Sequence, residues 1–441
     1  MIMELKEQMK NAGIVGAGGA GFPSFAKLAD GADTLLINGA ECEPLVYTDY
    51  IILKTELENV IFGAECVARE LGIRNVLLCV KNHTARRLSY TDNKSLSELV
   101  KVKILPDVYP MGDEISLIYE ATGRLIQPGK LPITEGIIVL NVETLYNVAK
   151  AEKFNTPVIE KWLTVGGDIP NATEVKVPVG ARISELLASL GISVPSTHAV
   201  IDGGPSMGKI IDPDTASVKK TTKGILILPK TVQAVTAMMA DLSKAKARAE
   251  TACCGCSRCT DLCPRALLGY PLDPHKMVRT AVGAAVVLPE MVLSATLCCG
   301  CGICESLACS QGISPKAVIA NFKTLLAQNR MRFTSEKKFS ATDERDYRKI
   351  PSSRWAMNIG VDIYDKLPAY IGERVNFKTL VIPTSQSIGA PSVPCVNVGD
   401  RVCRGDVIAE AAAGLSLPIH APLDGKTVFA DSKKIVIETD N

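Results

Sequence analysis

The sequence predicts a multidomain protein that combines α/β, α+β and all-β parts around a cysteine-rich helical module. Three observations support this fold class. The chain opens with a glycine-rich loop among alternating helices and strands, two regular cysteine runs occupy residues 253–309, and short β-branched strands with turn glycines close it. At 441 residues the chain is too long for one ordinary core, because domains average about 150 residues.

Composition narrows the functional classes. The formal net charge is only +2 and Lys and Arg are spread along the chain, so no nucleic-acid partner is expected. The start, MIMELKEQMK, has acidic residues and no apolar core of signal-peptide length, which predicts a cytoplasmic location. The most apolar stretch, residues 281–296, is shorter than the roughly 20 residues that cross a bilayer and contains Pro289 and Glu290, so no membrane span is expected.

The cysteines carry the strongest chemical signal. Fifteen cysteines in a chain without an export signal favour metal binding or redox chemistry over disulfides. The first run has the C-x2-C-x2-C-x3-C-P spacing of bacterial ferredoxins and comprises Cys253, Cys256, Cys259 and Cys263, followed by Pro264. The second run has four residues before its last cysteine, with Ser310 in place of Pro, and comprises Cys298, Cys301, Cys304 and Cys309.

These runs predict two 4Fe-4S clusters. Three thiolates at two-residue intervals can occupy three corners of an iron-sulfur cube, and in two-cluster ferredoxins the fourth ligand comes from the other run. One cluster is therefore predicted on Cys253, Cys256, Cys259 and Cys309, and the other on Cys298, Cys301, Cys304 and Cys263. Structural zinc is the alternative, but its sites rarely place three cysteines in C-x2-C-x2-C before C-P.

The remaining cysteines are predicted to have no ligand role. Cys254 and Cys299 lie off the spacing of the two runs. Cys66 and Cys79 fall in apolar stretches and look like small core residues.

The amino-terminal glycine-rich loop, AGIVGAGGAGFP at residues 12–23, predicts a close approach of the backbone to a ligand. Its free N–H groups suit a phosphate or a flavin edge. A Rossmann fingerprint is disfavoured, because residues 5–12 look helical and Pro23 follows the glycines. A predicted strand at residues 33–37 then leads into NGAECEP, which places Glu41 and Glu43 where open α/β sheets bind ligands. A plain turn with two solvated carboxylates is the alternative.

These segments resemble the flavin-carrying subunit of respiratory complex I and its relatives. That family has a GxGGxGFP loop, then Asn-x-x-Glu-x-Glu-Pro, Tyr-x-x-Gly-x-Glu and Asn-Val-Glu-Thr-Leu. The last two match YPMGDE at residues 109–114 and NVETL at residues 141–145. The chain departs from the family at Ala17 and Ala40, where Arg and Asp are usual.

The resemblance implies a cofactor and a donor. FMN is expected to be surrounded by Gly16, Gly18, Gly19, Lys27, Asn38, Glu41, Tyr109, Gly112, Asn141 and Thr144. The nicotinamide dinucleotide NADH, as electron donor, is expected to face Phe22, Glu43 and Glu114.

The resemblance also guides the domain boundaries. Residues 1–155 are predicted to form the complex I flavin-subunit-like α/β domain that binds FMN and NADH, and residues 233–330 a helical two-cluster ferredoxin-like module. Residues 156–232, with a helix predicted at 183–190, resemble the β-grasp (SLBB-like) domain of this family. The glycine-rich segment at residues 202–208 of that domain favours a structural bridge between flavin and clusters over ligand binding.

The last two segments complete the domain prediction. Residues 331–375 are charged and weakly patterned, which predicts a connector. Residues 376–441 resemble the all-β barrel-sandwich fold of biotinyl and lipoyl domains. Residues 410–416 offer no lysine for a hairpin tip, so a non-carrier domain is predicted.

The order of the domains suggests a function. It resembles the RnfC component of the Rnf membrane electron-transport complex, except that RnfC has the barrel-sandwich first. With that domain last, the chain resembles the PduS-type cobalamin reductases of propanediol-utilising bacterial microcompartments along essentially its whole length. That resemblance implies an NADH-dependent oxidoreductase in which a flavin passes electrons singly to the clusters, without a catalytic side chain.

The resemblance also implies an acceptor and partners. The acceptor would be a corrinoid, with cob(III)alamin reduced towards cob(I)alamin for coenzyme B12 recycling. An adenosyltransferase and shell proteins would be its partners inside a microcompartment. Two alternatives stay open: an RnfC-like electron-input subunit of a membrane complex, and a non-catalytic ligand-binding module with structural clusters.

Overall fold

The computed structural model describes residues 4–283, 289–374 and 376–440. Part of the apolar stretch at residues 281–296 therefore lies outside the described residues. Within the described ranges, no helix has both the length and the apolar character needed to cross a membrane.

The amino-terminal domain is built on a four-stranded parallel sheet in the order β3-β2-β1-β5. Its strands are almost continuously apolar, as expected where helices cover both faces of a parallel sheet. The helix and strand expected at residues 5–12 and 33–37 are present as α1 and β1. The elements are α1 (Leu5–Asn11), β1 (Thr34–Gly39), α2 (Thr48–Thr55), α3 (Leu57–Glu70), β2 (Asn75–Lys81), α4 (Asn82–Arg87), β3 (Val100–Leu105), β4 (Val108–Tyr109), α5 (Glu114–Thr122), β5 (Ile137–Asn141) and α6 (Val142–Phe154).

A mixed sheet, here called the middle sheet, follows. Its strands run in the order β7-β6-β10-β8-β9, and residues 369–373 add an outer strand beside β7. β6 and β7 form an antiparallel hairpin, and β10 returns parallel to β6. The elements are β6 (Glu160–Gly167), β7 (Thr173–Pro178), α7 (Ile183–Ser189), β8 (His198–Asp202), β9 (Lys209–Ile211) and β10 (Gly224–Pro229). The β-grasp assignment stays a prediction.

The cysteine module consists of helices around two cysteine-lined cavities. Proline occupies the first turn of α11, α12 and α15, where its missing N–H costs no helix hydrogen bond. The elements are α8 (Gln233–Met238), α9 (Leu242–Ala252), α10 (Arg258–Asp261), α11 (Pro264–Leu267), α12 (Pro274–Ala281), α13 (Pro289–Leu293), α14 (Ile303–Ser306) and α15 (Pro315–Gln328).

The predicted connector contains regular structure. Its elements are β11 (Ile350–Pro351), α16 (Ser352–Asn358) and β12 (Ala369–Glu373). β11 pairs with β4 and β12 pairs with β7, so each short element packs on another part of the molecule. Such isolated short elements leave little periodicity in the sequence.

The carboxyl-terminal part has two small antiparallel sheets, β13-β19-β18-β15 and β14-β16-β17. Apolar residues of both sheets share one core with residues of the middle sheet. An isolated bridge between Ala181 and Leu380 joins the two parts. The elements are β13 (Thr379–Pro383), β14 (Val393–Pro394), β15 (Arg401–Val402), β16 (Val407–Glu410), β17 (Ile419–His420), β18 (Gly425–Ala430) and β19 (Lys434–Thr439).

Candidate functional site

A cleft with an empty volume of about 530 Å³ lies at the carboxyl edge of the parallel sheet. That volume is typical of small-molecule and cofactor sites. The segments that follow β1 and β5 supply one side of the cleft, and the middle sheet and the cysteine module supply the other. Six predicted flavin-site residues line it, namely Gly18, Asn38, Glu41, Glu43, Gly112 and Asn141.

The glycine-rich loop forms a tight turn beside this cleft. The N–H of Gly16 donates to the carbonyl of Phe22 at 2.8 Å, which closes the loop. Gly19 has φ of +98°, a conformation that favours glycine, and a side-chain carbon there would meet nothing within 4 Å. The hydroxyl of Thr144 accepts from the N–H of Ala17 at 3.0 Å and holds the loop against α6. The loop therefore has open space beside a fixed backbone.

Two asparagines order the floor of the cleft. Asn38 donates to the carbonyl of Gly112 at 3.0 Å. Asn141 donates to the carbonyl of Asn38 at 3.2 Å and to Asp49 at 2.9 Å, while its own Oδ1 caps α6. The sequence patterns did not identify Asp49, because it lies inside α2, outside the matched motifs.

A lysine from the middle sheet completes this floor. Lys223 precedes β10, and its ammonium donates to Asp49 at 2.6 Å and to Glu41 at 2.9 Å. Burial raises the pKa of Glu41 to about 7, although Lys223 opposes the shift. Burial lowers the pKa of Lys223, but Asp49 and Glu41 together hold it above its ordinary value.

Glu43 faces the glycine-rich segment at residues 203–208 as well as the cleft. The N–H of Ser206 donates to its Oε2 at 2.8 Å, and a side chain at Gly204 would collide with it. Its other oxygen is buried without a protein partner. Burial raises the pKa of Glu43 because the charged form loses water. The cleft thus presents an unused hydrogen-bond acceptor.

The other predicted flavin-site residues lie outside the cleft lining. Lys27 donates to Glu114 at 2.6 Å and to the carbonyl of Val139 at 3.0 Å, so these two predicted residues form an ion pair. The hydroxyl of Tyr109 donates to the carbonyl of Cys301 at 2.7 Å and links the flavin motif to the second cysteine run.

The structure groups the cysteines around two cavities. The first cavity is lined by Cys253, Cys256, Cys259 and Cys309, together with Cys254. The second cavity is lined by Cys263, Cys298, Cys301 and Cys304, together with Cys299. Each cavity therefore holds three cysteines of one run and the last cysteine of the other. In the described part of the chain, no three His, Cys, Asp or Glu side chains converge closely enough for a single metal ion.

Both runs bend in the same way despite their different lengths. Left-handed residues occur at equivalent positions, Gly255 and Ser257 in the first run and Gly300 and Gly302 in the second. The second run absorbs its extra residue through a wide turn, in which the N–H of Ala308 donates to the carbonyl five residues earlier at 2.9 Å. The odd spacing is thus compatible with the same loop.

The thiols of these cavities are hard to ionise without a metal. Burial raises the pKa of Cys259 and of Cys263 to about 12, and neighbouring thiols raise it further. A metal that binds such thiols must displace their protons and supply the missing positive charge. The other two cysteines behave as expected, since Cys66 and Cys79 are buried in apolar cores.

The second cavity adjoins the cleft. Cys299 and Cys301 line both of them. The first cavity lies towards solvent, where Cys256 is exposed. The three sites are therefore arranged in the order cleft, second cavity, first cavity, surface.

Family models match three parts of the chain. Residues 9–150 match the Nuo51 FMN-binding domain, residues 252–314 a 4Fe-4S dicluster domain and residues 369–440 the RnfC barrel sandwich hybrid domain. The predictions of a flavin domain, a two-cluster module and a carboxyl-terminal barrel-sandwich are confirmed. The third match begins at the strand that joins the middle sheet.

Curated relatives match the whole chain or part of it. The cobalamin reductase PduS of Citrobacter freundii is 37% identical over 96% of this chain and 93% of its own length. The PduS of Salmonella typhimurium is 36% identical over 98% and 96% of the two chains. The RnfC-type component of the ion-translocating oxidoreductase complex of Rhodobacter capsulatus is 33% identical over 64% of this chain and 54% of its own length.

Proposed function

Since this chain belongs to the PduS family of cobalamin reductases, we propose that it is an oxidoreductase that reduces corrinoid cobalt with electrons from NADH. The observation that carries the proposal is the shared wall between the flavin-domain cleft and the second cysteine cavity. Such a shared wall suits electron transfer from a cofactor in one site to a cluster in the other. The partial match to the ion-translocating complex gives the RnfC-like alternative less support.

The cleft fits FMN. Open space faces the glycine-rich loop, amide groups line the floor, and the free oxygen of Glu43 can accept a hydrogen bond. The residues proposed to hold FMN are those given above for that cofactor, and NADH is proposed to face Phe22, Glu43 and Glu114. Bound FMN would supply the conversion of a two-electron hydride into single electrons that 4Fe-4S clusters can accept.

The chain's own residues prepare these sites. Lys27 and Glu114 neutralise each other's charge, and Thr144 fixes the glycine loop. We propose the crossed ligation: Cys309 completes the cluster of the first cavity, and Cys263 completes that of the second. In the second cavity the N–H of Gly300 points to the sulfur of Cys298 at 3.4 Å. Such N–H groups near sulfur tune the potential of a cluster.

The middle sheet is proposed to be a structural bridge of the β-grasp type. Ser206 accepts from Lys316 of the cysteine module at 2.8 Å and from Trp355 of the connector at 2.9 Å. Its N–H also holds Glu43 of the flavin domain. One loop thus joins three parts of the chain. The domain boundaries are proposed as given above.

The acceptor and partners follow from the family. We propose that a corrinoid, and an adenosyltransferase that uses it, approach the exposed first cavity. Shell proteins would enclose the enzyme in a microcompartment.

Anaerobic reconstitution tests the proposal. Iron, sulfide and FMN are added, and NADH is titrated with and without cob(III)alamin. We expect about eight irons per chain, bleaching of the flavin and cluster absorbance by NADH, and the appearance of reduced corrinoid. Bleaching without cobalt reduction would retain the cofactors but reject the substrate. Absence of bleaching would favour the non-catalytic alternative, and co-purification with membrane proteins the RnfC-like one.

A further inference from the structure

We infer that Lys223 is the fixed cation of the flavin cleft and sets how tightly the site binds reduced relative to oxidised FMN. The inference rests on the proposed function, because it requires FMN in the cleft. It deepens that proposal by assigning a role to a residue outside every flavin-family motif in the sequence.

The position of Lys223 is fixed from both sides of a domain boundary. Its carbonyl accepts from the hydroxyl of Thr48 at 3.0 Å and from the N–H of Thr164 at 3.1 Å. Only 8% of its surface is exposed. The main chain therefore cannot shift far, and the ammonium stays at the cleft floor.

Lys223 is the only basic residue among the described residues that line the cleft. The acidic lining residues are Glu41, Glu43, Asp49 and Asp113. Asp113 has its own partner outside the lining, Arg265, at 2.8 Å. The charge balance around a ligand in this cleft therefore depends on Lys223 more than on any other described lining residue.

This charge balance bears on flavin reduction. Reduction adds electron density to the ring, and a buried cation stabilises added negative charge far better than water-exposed groups do. Lys223 should favour the reduced form, and Asp49 should oppose it. A purely structural lysine would hold the two domains together without affecting this preference.

Opposite charge changes distinguish these roles. Lys223→Gln removes the cation and Asp49→Asn removes an anion. Lys220→Met is the matched control, because Lys220 is buried on the same segment but donates to the carbonyls of Gly13 and Pro418. Burial also lowers the pKa of Lys220 to about 7, so the control changes little charge above that pH.

The experiment measures the Kd of oxidised and reduced FMN by titration, and the flavin midpoint potential by dye equilibration, at pH 8. We expect Lys223→Gln to weaken binding of reduced relative to oxidised FMN by about tenfold or more and to make the potential more negative. Asp49→Asn should shift both quantities in the opposite direction, and Lys220→Met should shift neither.

Shifts of the same sign in Lys223→Gln and Asp49→Asn, or no shift in a folded Lys223→Gln, would overturn the inference. If Lys223→Gln does not fold, Lys223→Arg should keep the wild-type potential, and the sign of the Asp49→Asn shift decides. If the wild-type protein binds no FMN, the proposed function fails as well. FMN binding without the opposite shifts would reject only the role of Lys223.

Discussion

Buried ionisable residues are concentrated where the flavin domain meets the middle sheet. Lys161 and Glu143 form an ion pair that is almost fully buried, and the Lys223 network lies beside it. Glu174 accepts from the hydroxyl of Thr164 at 2.6 Å, and its other oxygen is buried without a partner. A buried charge without a full set of partners costs folding free energy, so this boundary should respond to pH.

Glu174 provides a test of that response. Burial raises its pKa to about 8 from an ordinary value of 4.5, although the Thr164 hydroxyl opposes the shift. The folded chain keeps a proton that the unfolded chain loses above about pH 4.5, so stability falls as pH rises towards about 8. In Glu174→Gln, a neutral amide of nearly the same shape, this loss should disappear. Urea unfolding at pH 5.5 and 8.5 should show the variant gaining about 2 kcal/mol or more on the wild type.

The exposed Glu98 supplies the control for that measurement. Glu98→Gln should keep the pH dependence of the wild type. An unchanged dependence in Glu174→Gln would show that Glu174 is ionised in the folded protein.

At the scale of secondary-structure elements, the short helix α16 connects the two cofactor sites. Trp355 stacks on Tyr109 with ring centroids 4.6 Å apart and an interplanar angle of 4°. Tyr109 in turn donates to the carbonyl of Cys301 in the second cysteine run. A helix of seven residues thus supports the loop between the cleft and the second cavity.

Truncation of Trp355 tests this support. Trp355→Ala removes a buried ring and should lower the free energy of unfolding by about 3 to 5 kcal/mol. Trp355→Phe keeps most of the ring stacking, loses the hydrogen bond to Ser206 and should cost about 1 kcal/mol. Stopped-flow absorbance should also show slower cluster reduction after flavin reduction in Trp355→Ala, because Tyr109 loses its support.

Met357 offers a control on the same helix, since its side chain is largely exposed. Met357→Ala should leave both stability and cluster reduction close to the wild type. Equal effects of Met357→Ala and Trp355→Ala would mean that the helix as a whole, rather than the stacked ring, matters.

At the scale of the whole molecule, the two cysteine cavities differ in depth. Cys256 of the first cavity is exposed, and its other three predicted ligands are half-buried. In the second cavity Cys263, Cys301 and Cys304 are buried. A chelator in solution should therefore reach the first cluster sooner.

Iron release should accordingly occur in two phases of roughly equal size when a chelator is added to the reconstituted protein. Crossed ligation predicts that Cys263→Ala abolishes the slow phase, because that cysteine completes the buried cluster. Cys309→Ala should abolish the fast phase instead. The reverse assignment, with Cys263→Ala removing the fast phase, would refute the crossing. Absorbance and released iron, followed together, measure both phases.

Local spacing by itself determined much of this protein. The two cysteine runs, the glycine-rich loop and the NVETL segment were recognisable because a loop that holds a cluster or a phosphate needs particular residues at particular short intervals. The same holds for β1, whose apolar run predicted a buried parallel strand. The flavin domain, the two-cluster module and the carboxyl-terminal barrel-sandwich followed from such patterns.

Only the tertiary structure decided which distant residues meet. Lys223 and Asp49 lie 174 positions apart, and Tyr109 and Cys301 lie 192 apart, so no short pattern could pair them. The connector was predicted without regular structure because α16 and β12 each pack on another domain and leave no repeating apolar face of their own. The wall shared by the cleft and the second cavity has the same origin, because it forms by packing between domains.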